Sequence, residues 1–198
     1  MKFKELEHKY ICPVDYPLER FTDQAKKTPF IDSYTVNVVD TYFLLKAAPR
    51  VVYRHRFDQK IQQLTVKSLA DDNECRQEIN LNLEPGITQI DKVTGFLAPF
   101  SIFWKGAIEK IVTVFLYDDC EVVYYSASLA DKIVSCVEFE ATRFDSIDEG
   151  LSTIGNYEKL FDFNSENRCK ESLLDLLAPP EALEKCKAHW KLHEAKDG

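Results

Sequence analysis

Most of the chain alternates between apolar and polar residues, and this period of two is typical of β-strands that bury one face. The alternating runs are rich in Val, Ile, Tyr, Phe and Thr, which favour strands. They predict eight strands, near residues 2–12, 33–46, 50–57, 60–69, 74–83, 108–117, 120–128 and 133–143. The sequence LYDDC at 116–120 separates two apolar runs as a tight turn would, so residues 108–128 are expected to form a hairpin.

Helical spacing of apolar residues is confined to shorter stretches between and after these strands. Pro17 suits the first turn of one helix, and Gly95 is expected to end another. The predicted helices cover residues 17–27, 88–96, 144–163, 170–177 and 180–196. The expected fold is therefore α+β, with one domain over 1–198. Its antiparallel β region at about 2–143 precedes C-terminal helices at about 144–196.

Five of the predicted strands carry charged side chains on one face and apolar side chains on the other. For a single strand, a charged face that meets water is the ordinary interpretation. A solvated sheet, however, gives no reason for carboxylates to dominate both ends of the β region and basic or mixed charges its middle. The pattern therefore favours a closed eight-stranded barrel with a polar lumen, whose outer face is covered by helices. The charged residues are Glu5, Glu7, Lys9, Arg54, Arg56, Lys67, Arg76, Glu78, Glu138 and Glu140.

The two signs of charge have complementary uses inside such a lumen. Arg and Lys bind phosphate oxygens, whereas clustered carboxylates bind hard cations such as Mg²⁺ or Mn²⁺. Buried charges in these numbers are costly unless they are paired or bound to a ligand. The sequence therefore predicts a ligand that brings both partners, a polyphosphate together with a divalent metal ion.

The composition of the chain limits the partners and the cellular compartment that are expected for the protein. The formal net charge of −8 argues against nonspecific binding of DNA or RNA, which needs a basic surface. No apolar run approaches the roughly 18 residues of a membrane span, and the charged N-terminus lacks the apolar stretch of a signal peptide. The six cysteines contain no C-x-x-C pair, so reduced thiols and a cytoplasmic protein are expected, without a membrane or nucleic-acid partner.

The order of the charged motifs resembles that of the CYTH family, the triphosphate tunnel metalloenzymes, which include thiamine triphosphatases, inorganic triphosphatases and class IV adenylyl cyclases. Each motif is weak alone, but six in the family's order make the resemblance specific. It implies an eight-stranded antiparallel tunnel, bound Mg²⁺ or Mn²⁺, and a triphosphate-containing small molecule as substrate. The motifs are ELEHK (5–9), DTYF (40–43), RHR (54–56), TVK (65–67), RQE (76–78) and EFE (138–140).

The resemblance also implies roles for individual residues. Those expected to hold the triphosphate are Lys9, Arg54, Arg56, Lys67, Arg76 and Lys110. Those expected to hold the metal are Glu5, Glu7, Glu78, Glu138 and Glu140, and the catalytic group comprises Lys9, Glu138 and Glu140. A water oriented by the metal would attack the terminal phosphorus and release phosphate. Two alternatives stay open: a cyclase that makes cyclic AMP from ATP, and a protein that binds nucleotide or polyphosphate without turnover.

One strand departs from the family pattern, which has a K-x-R motif there. Counting back from the YDD turn aligns Lys110 and Val112 with this motif, whereas counting forward from residues 95–96 aligns Lys105 and Ala107. Lys110 is preferred, because the hairpin fixes the register. In both registers the arginine is absent, and the family's aspartate on the following strand is absent too. These gaps bear on which triphosphate the protein uses.

Overall fold

Eight antiparallel strands close into a barrel in the computed structural model, which describes residues 4–13, 16–69 and 74–185. This confirms the predicted barrel and all eight strands. One boundary differs: β6 begins at Ile102 rather than near residue 108, because its first residues pair with the end of β2. The strands are β1 (Lys4–Ile11), β2 (Asp32–Leu45), β3 (Val51–Phe57), β4 (Gln62–Ser68), β5 (Cys75–Asn82), β6 (Ile102–Leu116), β7 (Cys120–Leu129) and β8 (Lys132–Ala141).

The first strand closes the barrel. The strand order is β1-β5-β4-β3-β2-β6-β7-β8, so β1 lies between β5 and β8. In this register Glu5 lies opposite Arg76 of β5, and Glu7 lies opposite Glu140 of β8. Since alternate residues of a strand share a face, the pairing brings the charged faces of β1, β5 and β8 together on the inside.

Helices surround the barrel. They are α1 (Leu18–Ala25), α2 (Ile90–Leu97), α3 (Ile147–Leu160) and α4 (Leu173–Leu177). Residues 180–185 are also helical, and the rest of the helix predicted at 180–196 lies outside the described residues. The predicted end of α2 at Gly95 is wrong, because the helix continues to Leu97, which is buried with Val93 in an apolar cluster that includes β2 residues. Within the described ranges, no helix has the length and apolar character that crossing a bilayer requires.

The main hydrophobic core lies between the outer face of the barrel and the helices. Leu6 and Tyr10 of β1 and Phe139 of β8 are buried together with Phe21 of α1 and Ile154 of α3. The rings of Tyr10 and Phe139 meet edge to face, with 5.9 Å between their centroids, a favourable arrangement for aromatic pairs. Because the apolar faces of these strands are buried outside, their opposite faces are free to carry charge inside.

The described cysteines form no disulfide bond with one another. Burial raises the pKa of Cys12 and of Cys136 to about 12, and the charge of Glu138 adds to the shift at Cys136. These two thiols are therefore protonated and unreactive at neutral pH. Cys186 lies outside the described residues, and the free cysteines are Cys12, Cys75, Cys120, Cys136 and Cys169.

A buried polar cluster ties α3 to β1 on the outer side of the barrel. Glu158 of α3 accepts a hydrogen bond from the Tyr10 hydroxyl at 2.6 Å, and it lies 2.6 Å from Nδ1 of His8. Nε2 of His8 lies 2.7 Å from Nη1 of Arg168. Because a guanidinium can only donate, His8 accepts at Nε2 and donates from Nδ1 to Glu158. Burial would raise the pKa of Glu158, but the hydrogen bonds from His8 and Tyr10 bring it below its ordinary value.

Replacing Glu158 with Ala is expected to destabilise the fold by about 2–4 kcal/mol, because buried donors on Tyr10 and His8 lose their acceptor. The control is Asn156→Ala, at an exposed position on the same helix, which is expected to change stability by less than about 0.5 kcal/mol. Urea unfolding of both variants and the parent measures the difference. An unchanged Glu158→Ala variant would show that this cluster does not hold α3 on the barrel.

Candidate functional site

A cavity of about 490 Å³ occupies the interior of the barrel and is lined by residues of all eight strands. Leu173 and Leu174, at the start of α4, line one end. Asp58 and Lys60, in the turn between β3 and β4, line the opposite end. The preferred site residues named from the sequence all line this cavity, so the structure brings them together: Glu5, Glu7, Lys9, Arg54, Arg56, Lys67, Arg76, Glu78, Lys110, Glu138 and Glu140.

The register of β6 distinguishes the two alignments of its lysines. Lys110 and Val112 line the cavity. Lys105 and Ala107 are exposed on the opposite face of the strand, where Lys105 donates a hydrogen bond to Thr94 at 3.0 Å. The alignment counted back from the hairpin therefore describes the lumen, and the uncharged Val112 stands where the family motif has arginine.

Glu5 is the centre of an ion-pair network on one wall of the lumen. Lys67 Nζ lies 2.8 Å from Glu5 Oε1, and Arg76 Nε lies 2.6 Å from Glu5 Oε2. Arg76 Nη2 lies 2.6 Å from Glu7 Oε1, and Lys67 also contacts Glu78. Burial would raise the pKa of Glu5, but the charges of Lys67 and Arg76 bring it well below its ordinary value. These carboxylates hold both bases in place on this wall of the lumen.

Arg54 carries an unsatisfied donor. Its Nη2 donates to the Thr65 hydroxyl at 3.2 Å and lies 3.5 Å from Glu78 Oε1. Its Nε is buried and has no hydrogen-bond acceptor among the residues that the structure describes. Buried donors in folded proteins almost always have a partner. This Nε–H therefore indicates an acceptor that enters the lumen from outside, such as a ligand oxygen or an ordered water.

Asp40 joins two further bases of the lumen. Its carboxylate accepts hydrogen bonds from Nε and Nη2 of Arg56 at 2.9 Å each, and Oδ2 lies 2.5 Å from Lys110 Nζ. Burial would raise the pKa of Asp40, but Arg56 and Lys110 hold it well below its usual range. For Lys110, burial lowers the pKa, Asp40 opposes the shift and Arg56 adds to it, which leaves a value of about 8. The DTYF motif (40–43) signalled this aspartate, but the sequence alone gave it no partner.

Lys9 and Glu138 form an ion pair between β1 and β8. Lys9 Nζ lies 3.2 Å from Glu138 Oε1, and the Tyr125 hydroxyl donates to the same oxygen at 2.8 Å. Burial would raise the pKa of Glu138, but the charges of Lys9 and Lys110 and the hydrogen bond from Tyr125 bring it below its ordinary value. Glu138 is therefore ionised at neutral pH and held in one orientation by its two neighbours.

Three carboxylates near β8 face one another with too little positive charge between them. Glu140 lies opposite Glu7 of β1 on one side and opposite Glu121 of β7 on the other. Burial, followed by the charges of Glu5 and Glu7, raises the pKa of Glu140 well above its ordinary value. Burial and the charge of Glu138 also raise the pKa of Glu7. Sequence reasoning missed Glu121, although the hairpin register could have placed it on the inner face with Glu140.

The donor set of the lumen fits a hard divalent cation. Its carboxylate oxygens suit Mg²⁺ or Mn²⁺ better than softer ions, and the raised pKa values of Glu7 and Glu140 mark where a cation would relieve repulsion. No group of three or more His, Cys, Asp or Glu side chains in the described ranges has the spacing to hold an ion alone. Mg²⁺ is commonly bound by one or two carboxylates, waters and substrate phosphates. The residues therefore fit an ion that binds together with a phosphate ligand.

Solved structures of other proteins share this fold. A conserved hypothetical protein from Pyrococcus furiosus aligns over 87% of this chain and 99% of its own, with a TM-score of 0.68 and 22% identity. A candidate adenylate cyclase from Vibrio parahaemolyticus aligns over 90% of this chain and 100% of its own, with a TM-score of 0.66 and 16% identity. HpAC1 from Hippeastrum, a candidate adenylyl cyclase with a dominant triphosphatase activity, aligns over 93% and 96%, with a TM-score of 0.59 and 10% identity.

No protein-family model matches the chain, and a search of curated proteins finds no match. At the identities of the structural neighbours, the likeness establishes the fold and not the activity. These structures confirm the fold that the resemblance to CYTH proteins implied, which is a closed eight-stranded antiparallel barrel.

Proposed function

We propose that the protein is a phosphohydrolase that binds a triphosphate-containing small molecule with Mg²⁺ or Mn²⁺ in the lumen and releases the terminal phosphate. The observation that carries the proposal is the convergence of six basic side chains and a set of carboxylates on one cavity inside the barrel. Buried ion pairs are costly and contribute little stability, so a ligand that uses both signs of charge gives a reason for them. The six bases are Lys9, Arg54, Arg56, Lys67, Arg76 and Lys110.

The basic residues suit a chain of phosphates. Carboxylate partners hold Lys67, Arg76 and Arg56 in place before any ligand arrives, so a polyanion would meet donors that are already oriented. The buried Nε–H of Arg54 would gain the acceptor that it lacks among the described residues. Each charge-assisted hydrogen bond of this kind is worth about 1.5–3 kcal/mol.

The acidic residues suit the cation. We assign the main metal-binding role to Glu7, Glu138 and Glu140, and a supporting role to Glu5 and Glu78. Among the described residues, Glu5 and Glu78 each form ion pairs with two basic side chains. Within the same part of the chain, Glu7 and Glu138 each form an ion pair with one, and Glu140 with none. When bound, the cation would neutralise phosphate charge and polarise a phosphoryl oxygen as a Lewis acid.

Hydrolysis of a triphosphate requires one bond to form and one to break. A water oxygen bonds to the terminal phosphorus while the bond from that phosphorus to the bridging oxygen breaks, and the diphosphate part of the substrate leaves with the electron pair. The proton that the water loses passes to solvent or to the departing diphosphate. Lys9 and Lys110, as cations, would offset the negative charge that grows on these oxygens. The hydrogen bond from Tyr125 and the ion pair with Lys9 would hold Glu138 still during the reaction. The proposed catalytic group is Lys9, Glu138 and Glu140. Of these, Glu140 would act by holding the cation, and Lys110 belongs to the residues that bind the phosphates.

Product analysis tests the proposal most simply. The protein is incubated with tripolyphosphate, thiamine triphosphate and ATP, each with Mg²⁺, Mn²⁺ or EDTA, and the products are separated. Metal-dependent release of phosphate supports the hydrolase, whereas pyrophosphate and cyclic AMP from ATP would identify a cyclase. Tight binding without products would identify a protein that binds its ligand without turnover. This alternative is favoured by Val112, which stands where the family has an arginine. Failure of all three ligands to bind would contradict the assignment of the lumen.

We also propose a cytoplasmic setting, without a nucleic-acid or membrane partner. The described cysteines are free thiols, as is usual in a reducing compartment. The net charge of −8 disfavours polyanionic partners such as nucleic acids or acidic membrane surfaces.

Glu140→Gln is expected to lower metal-dependent turnover by about 10–100-fold or more. Residues that only hydrogen-bond to metal ligands already contribute that much to metal affinity or activity. The same change should leave the melting temperature at pH 7 equal to or higher than that of the parent. The raised pKa of Glu140 means that its ionised form is disfavoured in the folded state, and Gln removes this cost above the pKa of the unfolded chain.

Glu109→Gln is the control for this variant, because Glu109 is exposed on the outer face of β6. It is expected to change neither turnover nor melting temperature measurably. Phosphate release and thermal unfolding are measured for both variants. A Glu140→Gln protein that turns over as fast as the parent would remove Glu140 from the proposed metal site.

Binding of tripolyphosphate is expected to weaken as the pH rises through about 8, where Lys110 loses its proton. Loss of this positive charge between pH 7 and pH 9 should lower the affinity for tripolyphosphate about tenfold. Lys110→Arg keeps its charge over this range and should lack that part of the pH dependence. Calorimetry measures the affinity of both proteins at the two pH values. Protonation of the ligand itself affects both proteins equally, so the difference between them reports on Lys110. Identical pH dependence in the two proteins would contradict a phosphate contact by Lys110.

A further inference from the structure

One wall of the lumen is apolar. Val36 of β2 lies opposite Val112 of β6, and Val114 of β6 lies opposite Val123 of β7. These four residues, here called the valine wall, line the same cavity as the charged side chains. Val36, Val112 and Val123 are only partly buried. The wall therefore presents apolar surface to a chamber that is otherwise strongly charged.

The valine wall lies between the basic residues and one end of the lumen. Along β6 the inward-facing residues run from Lys110 through Val112 to Val114. Val114 lies opposite Tyr34, and Lys60 Nζ lies 5.3 Å from the centroid of the Tyr34 ring. Tyr34 and Lys60 thus mark the end of the lumen at the turn between β3 and β4. A ligand whose phosphates contact Lys110 would extend along the valines toward this end.

A phosphate chain without an organic group would make no favourable contact with the valine wall. Apolar surface contributes about 25 cal/mol per Å² when another apolar group covers it, whereas phosphate oxygens beside it would lose water without gaining a donor. The carboxylates of Asp32, Asp58 and Glu121 line the same end of the lumen as Lys60. Acidic groups therefore outnumber the lysine there, and they would repel further phosphates. The chemistry therefore suits a neutral or cationic organic group that is attached to the phosphate chain.

We propose that the valine wall is the subsite for the organic group of a triphosphate ester. The protein then prefers triphosphate esters over inorganic tripolyphosphate and over longer polyphosphates. This inference rests on the proposed function of the same lumen. It gives Val112 a role, because an arginine there would place a charge within the wall. Nucleoside and thiamine triphosphates share the required chemistry, and the Tyr34 ring could stack on the ring system of either.

The test compares a double variant in the wall, Val112→Thr with Val123→Thr, against Val39→Thr. Thr keeps the β-branched shape and strand preference of Val, and Val39 is an exposed residue on the opposite face of β2. Dissociation constants for tripolyphosphate, ATP and thiamine triphosphate are measured by calorimetry, in EDTA and again with Mg²⁺. Thermal unfolding shows that each variant remains folded.

The parent is expected to bind at least one of the two esters about tenfold or more tightly than tripolyphosphate. The double variant should lose about tenfold in affinity for that ester and keep its affinity for tripolyphosphate, while Val39→Thr changes neither. The ester that responds tells whether the group is a nucleoside or a thiamine-like cation. Tripolyphosphate binding as tight as that of both esters, or an equal loss for all ligands, would overturn the inference and leave the proposed function standing. Binding of none of them would overturn both.

Discussion

Charge compensation inside a closed barrel is the constraint on which the rest of the structure depends. Removing an ion from water costs several kcal/mol unless partners replace the water, and most charges of the lumen have such partners. Glu5 is paired with Lys67 and Arg76, and Asp40 joins Arg56 to Lys110. Among the described residues of the lumen, the buried Nε–H of Arg54 lacks an acceptor, and the carboxylates around Glu140 repel one another. The first suits a phosphate oxygen and the second suits a cation, so both deficits point to one composite ligand.

The charged lumen also explains why the helices are where they are. A strand that turns its polar face inward must cover its apolar face on the outside, and α1 and α3 supply that cover for β1 and β8. The cluster of Glu158, Tyr10 and His8 then fixes α3 against the back of β1. Since β1 carries Glu7 and Lys9 on its other face, packing on the outside helps to position side chains on the inside. The same strands therefore form the hydrophobic core with their outer faces and the candidate site with their inner faces.

Local alternation was sufficient to predict all eight strands and to group the charged residues on one face, because the direction of a side chain depends only on its position along the strand. The ion-pair partners of these residues could not be predicted from the sequence. Asp40 contacts Arg56 and Lys110, for example, because three strands are neighbours at that point of the barrel. The sequence placed Val112 through the register of Lys110, but Glu121 and the other three valines of the wall were missed for another reason. Strands β2, β6 and β7 carry apolar residues on both faces, so alternation does not tell which face is the lumen. The register of the hairpin between β7 and β8 supplies that information for Glu121, and the closed topology supplies it for the valines.

The central claim is that the lumen binds a triphosphate and a divalent cation together. A crystal of the protein grown with Mn²⁺ and ATP or tripolyphosphate tests it directly, because the anomalous scattering of manganese locates the ion independently of the surrounding density. The account predicts a manganese peak inside the barrel, within bonding distance of a carboxylate of Glu7, Glu138 or Glu140 and of a phosphate oxygen, with phosphates contacting Arg54 and Lys110. Manganese and phosphates found only on the outer surface of the barrel, with the lumen holding water alone, would contradict it.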